Sequence, residues 1–482
     1  MKQAKYNRHR LVFPAIFFCV AMMAAGLMYT TAASSEARNE MSKGERQMRS
    51  SSEAVSESSR TAAITVPPQY QIYDIGVVQT GDTASQGFGI SGGGTAVGRS
   101  VRSGGAQAFT WTPGGGIVGL PNIAGRAFCV SNGANNGGIV VGTCATTLFG
   151  SSRLPVIWQN GAVSQLPLPN GETLGDANDV NASGVAVGSV NSGSLQRGVV
   201  YSSGSANVIT QTTSNGSFFL TAFGVNDSGR VVGQGIDPTN AARNVGIVYD
   251  IGSGSAFEVG ALPGANGALA FGVGNAGHVV GSSMLNQGSG QPFIWSQASG
   301  MTAIPLASGT TQGAARAVNS AGWAVGTGSG QFAVPFLYDG TATYRLADLI
   351  PAGTGWDLSM NTSSSALGIS DNNVIVGTGV YNGQIRAYAM VPVTNVSLGG
   401  RILTASGAGI RNAVVTLSGG NLPAPVTVLT GSFGYYNFQG LQTGTTYTVT
   451  VSTKRYTFAQ PTRMITLQGD VNNSDFVAEP QQ

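Results

Sequence analysis

Ionisable side chains are scarce in these 482 residues: charged residues make up 9% of the chain, against roughly 25% in an average soluble domain. Only two histidines occur, His9 and His278, which excludes a histidine-built zinc site and leaves little material for a catalytic triad. Three cysteines occur, and Cys19 lies inside an apolar N-terminal run. Helix-favouring Glu and Lys are few, whereas Gly reaches 72 residues and Val, Ile, Ser, Thr and Asn are plentiful. That mixture of turn-formers and β-branched residues predicts an all-β protein. The glycines follow no three-residue period, which excludes collagen. The net charge of +3 owes much to Lys2, Lys5, Arg8 and Arg10; without these four, 20 basic face 21 acidic residues. A near-neutral remainder gives no electrostatic reason to expect nucleic acid as a partner.

Residues 1–33 read as an export signal, with a basic start, an apolar run from Leu11 to about Met28, and small residues at Thr31-Ala32-Ala33. An uncleaved anchor is the alternative, and would be the chain's one contact with a membrane. Cys19 lacks the small-residue pattern of a lipid-attachment site. Residues 34–69 form a polar linker. Ten charges of mixed sign fall between Glu36 and Arg60 among serines, a composition that cannot bury enough surface to offset its ordering entropy and so predicts disorder.

From residue 70 to 393 one unit recurs seven times. Its fullest form is Phe223-Gly224-Val225-Asn226-Asp227-Ser228-Gly229-Arg230-Val231-Val232-Gly233. The last glycine falls at Gly98, Gly142, Gly188, Gly233, Gly281, Gly326 and Gly377, at spacings of 44, 46, 45, 48, 45 and 51. Eight residues before six of them stands an aliphatic: Ile90, Val180, Val225, Val273, Val318 or Ile369. Asn181, Asn226 and Asn319, or Ser91 and Ser370, follow it. Gly94, Gly184, Gly229, Gly322 or Asn373 comes three residues later. This is hairpin chemistry: Asn or Ser bonds its own turn, and Gly accepts the left-handed conformation, with Asn373 the best substitute. The second strand carries adjacent apolar residues such as Val231-Val232, so both sheet faces must be covered. A third strand ends in an aromatic, as in Phe109/Trp111 and Phe293/Trp295, and a short fourth follows in six copies, among them 117–123, 163–168, 257–262 and 344–350.

Four strands per unit at a period near 45 predict a seven-bladed β-propeller. The seventh unit lacks a fourth strand, and the orphan segment Tyr70–Val78 could complete it and close the ring. A β-solenoid or an open array of sheets is the alternative. The repeats resemble the HAF-type extracellular repeat family of bacterial proteins, through the Val-Asn-x-x-Gly and Val-Val-Gly core and Gln107-Ala108-Phe109 at the place of the name-giving motif. The histidine of that motif is absent. The resemblance implies surface or secreted location and no general activity.

The second unit departs from the pattern, since Val130 stands twelve residues before Gly142. Cys129 and Cys144 flank what reads as a longer hairpin with Asn136-Gly137 as its turn. They face each other at a hydrogen-bonded pair in that register, and a bridge and two free buried thiols both remain open. Residues 394–482 alternate strands with Gly-rich turns and predict a small β-sandwich. From Gly434 the segment is similar to the carboxypeptidase regulatory-like, transthyretin-like domain, with Tyr436 and Phe438 in the aromatic places. In that family the domain is an accessory or spacer.

No catalytic, cofactor-binding or metal residue stands out. Ser91 matches a nucleophile elbow but occupies a turn position filled by Asn in sister repeats. Gly326–Gly330 lacks the lysine of a phosphate loop. Asp371-Asn372-Asn373 and Asp470 to Asp475 lack the spacing of a calcium loop and read as turns. His278 reads as a solvent-exposed turn residue. Asp179 takes the place of Gly89, Gly224, Gly272, Ala317 or Gly368, so it either faces a central channel or caps a local turn. The expectation is an exported, monomeric, non-catalytic surface protein that binds glycan or an envelope protein. A carbohydrate-active propeller using channel carboxylates, or a structural spacer, are the alternatives. Specificity is expected where repeats disagree, in the long second hairpin and the unequal loops before the aromatic strands.

Overall fold

The computed structural model describes residues 61–63, 67–147, 152–191, 196–285, 289–393 and 395–480. The export signal and nearly all of the polar linker lie outside them. Among the described residues no helix is long and apolar enough to cross a membrane. The fold is a β-propeller of antiparallel sheets followed by a two-sheet sandwich.

The fourth sheet shows the plan, with strands Phe218–Val225, Arg230–Asp237, Asn240–Asp250 and Ser255–Glu258 paired in sequence order. The same order starts again at Ala84, Phe128, Leu174, Gly267 and Gln312, the first two sheets being joined by one bridge, Ala106 to Phe128. The remaining sheet, Ser365–Ile369, Ile375–Tyr381 and Gln384–Pro392, takes its outer strand from the far end of the chain: Tyr70–Asp74 pairs antiparallel with Gln384–Pro392. Its inner glycines also abut the first sheet, because a Cβ on Gly368 would meet Ile90 and one on Gly87 would meet Gly377.

The adjacent apolar pairs explain how sheets stack. Val231 and Val232 are both fully buried, yet each belongs to a different core, one on either side of its sheet. Val279/Val280 and Ile375/Val376 divide between neighbouring cores in the same way. Each such side chain contributes about 1.5–3 kcal/mol by burial, so every second strand ties three sheets together. The turns follow the expected chemistry: Gly229 lies at φ +82°, and Asn373 takes the same region at φ 60°.

Four expectations are corrected. The second hairpin is not longer than its sisters. Asn135 accepts a hydrogen bond from Gly138 N and its Oδ1 one from Ile139 N, as Asn181 does with Gly184 and Val185. Ala134, not Val130, is therefore the counterpart of Val180, and its small size hid the phase. Cys129 and Cys144 face each other and are disulfide-bonded, with Cα atoms 4.1 Å apart, a separation of the non-hydrogen-bonded kind. A bulge between Ser131 and Gly133 shifts the register from the one counted off Asn136-Gly137. Within the linker, Thr61–Ala63 forms a strand parallel to Asn437–Gln439. Finally, the segment 344–350 holds only the end of the strand Thr343–Arg345, and Leu346–Leu349 turns into a 3-10 helix that buries both leucines.

In the sandwich, 414–419, 426–429, 446–452 and 462–466 make one sheet, and 395–403, 435–442 and 476–477 the core of the other. Strand alternation turns Val415, Leu417, Tyr436, Phe438, Tyr447, Val449 and Val451 into one shared core.

Candidate functional site

The inner strands of all seven sheets line two cavities of about 140 and 340 Å³. Both are bordered by Asp179 and the aliphatics Ile90, Val273, Val318 and Ile369, so they are two ends of one axial passage.

The smaller end is made by the hairpin turns. Asn135 donates its amide to Asn181 O (2.9 Å), Asn181 to Asn226 O (3.1 Å), Asn226 to Gly274 O (3.1 Å), and Asn319 to Ser370 O (3.2 Å). Each Oδ1 meanwhile accepts a backbone N–H of its own turn, for example Arg230 N at 2.9 Å. These asparagines are thus fully used in linking one sheet to the next. Asp227 and Asp371 do the same with carboxylates, accepting Ala182 N (2.8 Å) and Ser320 N (2.9 Å) from the preceding sheet. Ser91 Oγ accepts Thr95 N at 3.1 Å, a turn contact. Asp470 accepts Ser397 N and Asp475 accepts Arg401 N, both at 2.7 Å, so these carboxylates strap the sandwich backbone. No cluster of metal-ligating side chains occurs among the described residues. His278 is half-buried, not exposed: its ring lies where a Cβ on Gly322 of the next sheet would touch it.

Asp179 joins both alternatives read from the sequence. It is half-buried, borders both cavities, and accepts Val180 N through Oδ1 (2.8 Å) and Val225 N of the next sheet through Oδ2 (2.9 Å). Gly133 of the preceding sheet leaves the room it occupies, since a Cβ there would stand 3.0 Å from Asp179 Oδ1. Burial outweighs the two N–H donors and, with the Asp227 charge nearby, pushes its carboxyl up to about 6. A carboxyl raised on folding binds protons more readily in the folded chain, so this group's contribution to stability falls as pH rises from about 4 through 6. The stability of Asp179→Asn relative to the parent should therefore increase over that window. Paired thermal melts at pH 4.5 and 7.5 measure it; a constant difference would refute the assignment.

The larger end arises from a feature that hydrophobic spacing does not display. Every inner strand carries a bulge one residue before the small position, between Gly87/Gly89, Ser131/Gly133, Ala177/Asp179, Ala222/Gly224, Ala270/Gly272, Ala315/Ala317 and Ala366/Gly368. The extra residues are Phe88, Asn132, Asn178, Phe223, Phe271, Arg316 and Leu367, and all seven border the 340 Å³ cavity. A bulge re-aims a side chain, and here it supplies one lining residue per sheet. Phe223 and Phe271 lie 5.4 Å apart, and the Arg316 guanidinium stacks 4.0 Å from the Phe271 ring centre. Asn132 and Asn178 donate to Ala177 O (2.9 Å) and Ala222 O (2.8 Å) of the next sheet. The signal in the sequence was the scatter of residue type at one phase of an otherwise regular repeat.

Residues 397–479 match the carboxypeptidase regulatory-like domain family. No curated protein matches the sequence. Among solved structures, TolB from Acinetobacter baumannii is similar at 7% identity and a TM-score of 0.36, over 64% of this chain and 63% of TolB. An oligogalacturonate lyase in complex with manganese is 11% identical with a TM-score of 0.44, over 68% of this chain and 97% of the lyase. The β-propeller domain of the Trilobed protease from Pyrococcus furiosus is 11% identical with a TM-score of 0.34, over 71% and 93%. Similarity at this level says nothing of activity. The chain combines a β-propeller with a C-terminal carboxypeptidase regulatory-like domain.

Proposed function

We propose that this is an exported, non-catalytic binding protein of HAF-type repeats, whose seven sheets close into a ring sealed by Tyr70–Asp74. It holds a glycan or an envelope protein at the bulge-lined end of the passage. One observation carries this reading. The bulged residues Phe88, Phe223, Phe271, Arg316 and Leu367 border one cavity of about 340 Å³, a size within the range of small-ligand pockets. Half-buried aromatic side chains around one opening are an unusual use of apolar surface unless something covers them. Among the described residues, the opposite end is lined by no aromatic side chain.

A second reading has its own support: Asp179, with its raised pKa and Asp227 close by, has the character of a general acid in a carbohydrate-active enzyme. A glycan array and an envelope-protein pull-down with the full chain test both readings. Saturable binding lost in a Phe88→Ala/Phe223→Ala/Phe271→Ala variant supports the binding protein. Cleavage of a bound glycan that stops in Asp179→Asn replaces it with the enzyme. Silence in every assay removes both and leaves the spacer.

A further inference from the structure

Arg316 is the one cation among the seven bulged residues, and its guanidinium lies on the face of Phe271. A stacked guanidinium keeps all five N–H donors free, and a planar fork of donors matches a carboxylate in two parallel hydrogen bonds. Arg316 is an exposed residue on the cavity lining, open to an incoming anion, and the partial desolvation it does feel lowers its pKa. Phe223 and Phe271 meet at 45° and form an angled apolar wall beside it.

The same cavity also offers acceptors. Asn132 and Asn178 commit their amide nitrogens to the next sheet, which leaves each Oδ1 as an acceptor on which no hydrogen bond among the described residues ends. Asp179 has accepted one backbone N–H on each oxygen and keeps further lone pairs. A neutral sugar would leave the guanidinium unpaired. An apolar acid would leave the acceptors without donors, so part of the hydrogen-bonding capacity of the lining would go unused. A ring that bears one carboxylate, several hydroxyls and an apolar C–H face satisfies all three.

We infer that the bulge-lined end of the passage binds a sugar acid, its carboxylate on Arg316, its apolar face on Phe223 and Phe271, and its hydroxyls on Asn132, Asn178 and Asp179. This rests on the binding reading above and names its ligand class.

Titration calorimetry of the full chain tests it with glucuronate, galacturonate and N-acetylneuraminate, against glucose as the neutral control and benzoate as the apolar acid. At least one sugar acid should bind saturably, about tenfold or more tighter than either control, and Arg316→Leu should lose about tenfold or more of that affinity. Arg316→Lys should retain part of it, and added salt should weaken binding by the parent chain. Circular dichroism verifies that Arg316→Leu is folded; if it is not, Arg316→Lys and the salt dependence decide. Glucose or benzoate binding as tightly as the best sugar acid overturns the inference, as does binding unchanged in Arg316→Leu, or no binding by any of the three acids. A neutral glycan or an envelope protein held at the same ring would sink the sugar acid alone and leave the binding reading standing.

Discussion

Removing residues 61–76 should destabilise the propeller by more than about 5 kcal/mol and make the chain aggregate, because the deleted segment seals one sheet and fills two cores. Tyr70 is 1% exposed and packs with Leu337, Leu346, Leu349, Tyr388 and Met390, while Ile75 packs with Phe109 and Trp111 of the first sheet. Without Tyr70–Asp74 the stretch Tyr388–Pro392 becomes an unpaired edge. Tyr70→Ala alone should cost about 3–5 kcal/mol. Tyr70→Phe should be neutral or stabilising, since the buried hydroxyl has no hydrogen-bond partner. Thermal melts with light scattering read all three proteins. A truncated chain that melts within about 2 °C of the parent and stays monomeric would disprove the seal, because a loss of several kcal/mol cannot hide in so small a shift.

The pairing of Tyr70–Asp74 with Gln384–Pro392 could be anticipated from the sequence because strand count is a property of the repeat: six units had four strands and one had three. The sandwich was legible for a similar reason, since Tyr436, Phe438, Tyr447 and Val449 alternate at the period of a strand that buries one face. The second unit was misread at Ala134. A methyl group on a buried strand carries too little hydrophobic contrast to mark its phase, and Val130 supplied a stronger but false signal. The candidate site was missed for a deeper physical reason. A bulge breaks the period-two rule on which such counting depends. Two-residue alternation alone therefore does not mark Phe88, Phe271 and Arg316, which the register shifts place around one opening. Asp179 stood out only as a charge where its sisters are small, and its bond to Val225 N needed the neighbouring sheet to be seen. The scatter of Phe, Asn, Arg and Leu at a single phase was present throughout, but scatter acquires meaning only once those positions are known to converge.

Gly281→Ala should destabilise the chain by at least about 3 kcal/mol, far more than a single methyl ordinarily costs. Its backbone is extended, so conformational freedom is not the issue; space is. A Cβ there would overlap the carbonyl oxygen of Leu269 and stand 2.8 Å from the Phe293 ring. The same holds at Gly98 with Gln86 O, Gly188 with Asp176 O and Gly326 with Ala314 O, each a carbonyl just before the bulge of the facing strand. The recurring Val-Gly pair is therefore the counterpart of the bulge. The glycine lets the carbonyl turn inward, the bulge forms, and the following residue, Phe271 in this sheet, reaches the passage. A flexible side chain could yield to the added methyl, but the carbonyl can move only if the bulge is undone. Gly281→Ala should accordingly weaken any ligand bound beside Phe271 as well as lower the melting temperature. Gly114→Ala is the matched control, since Gly114 lies in an exposed turn with no atom near its Cβ position and should change stability by less than about 0.5 kcal/mol. Chemical denaturation of the two variants side by side decides the matter. If Gly281→Ala falls within about 1 kcal/mol of Gly114→Ala, the close approach is not what fixes glycine at these positions, and the coupling between repeat and site fails with it.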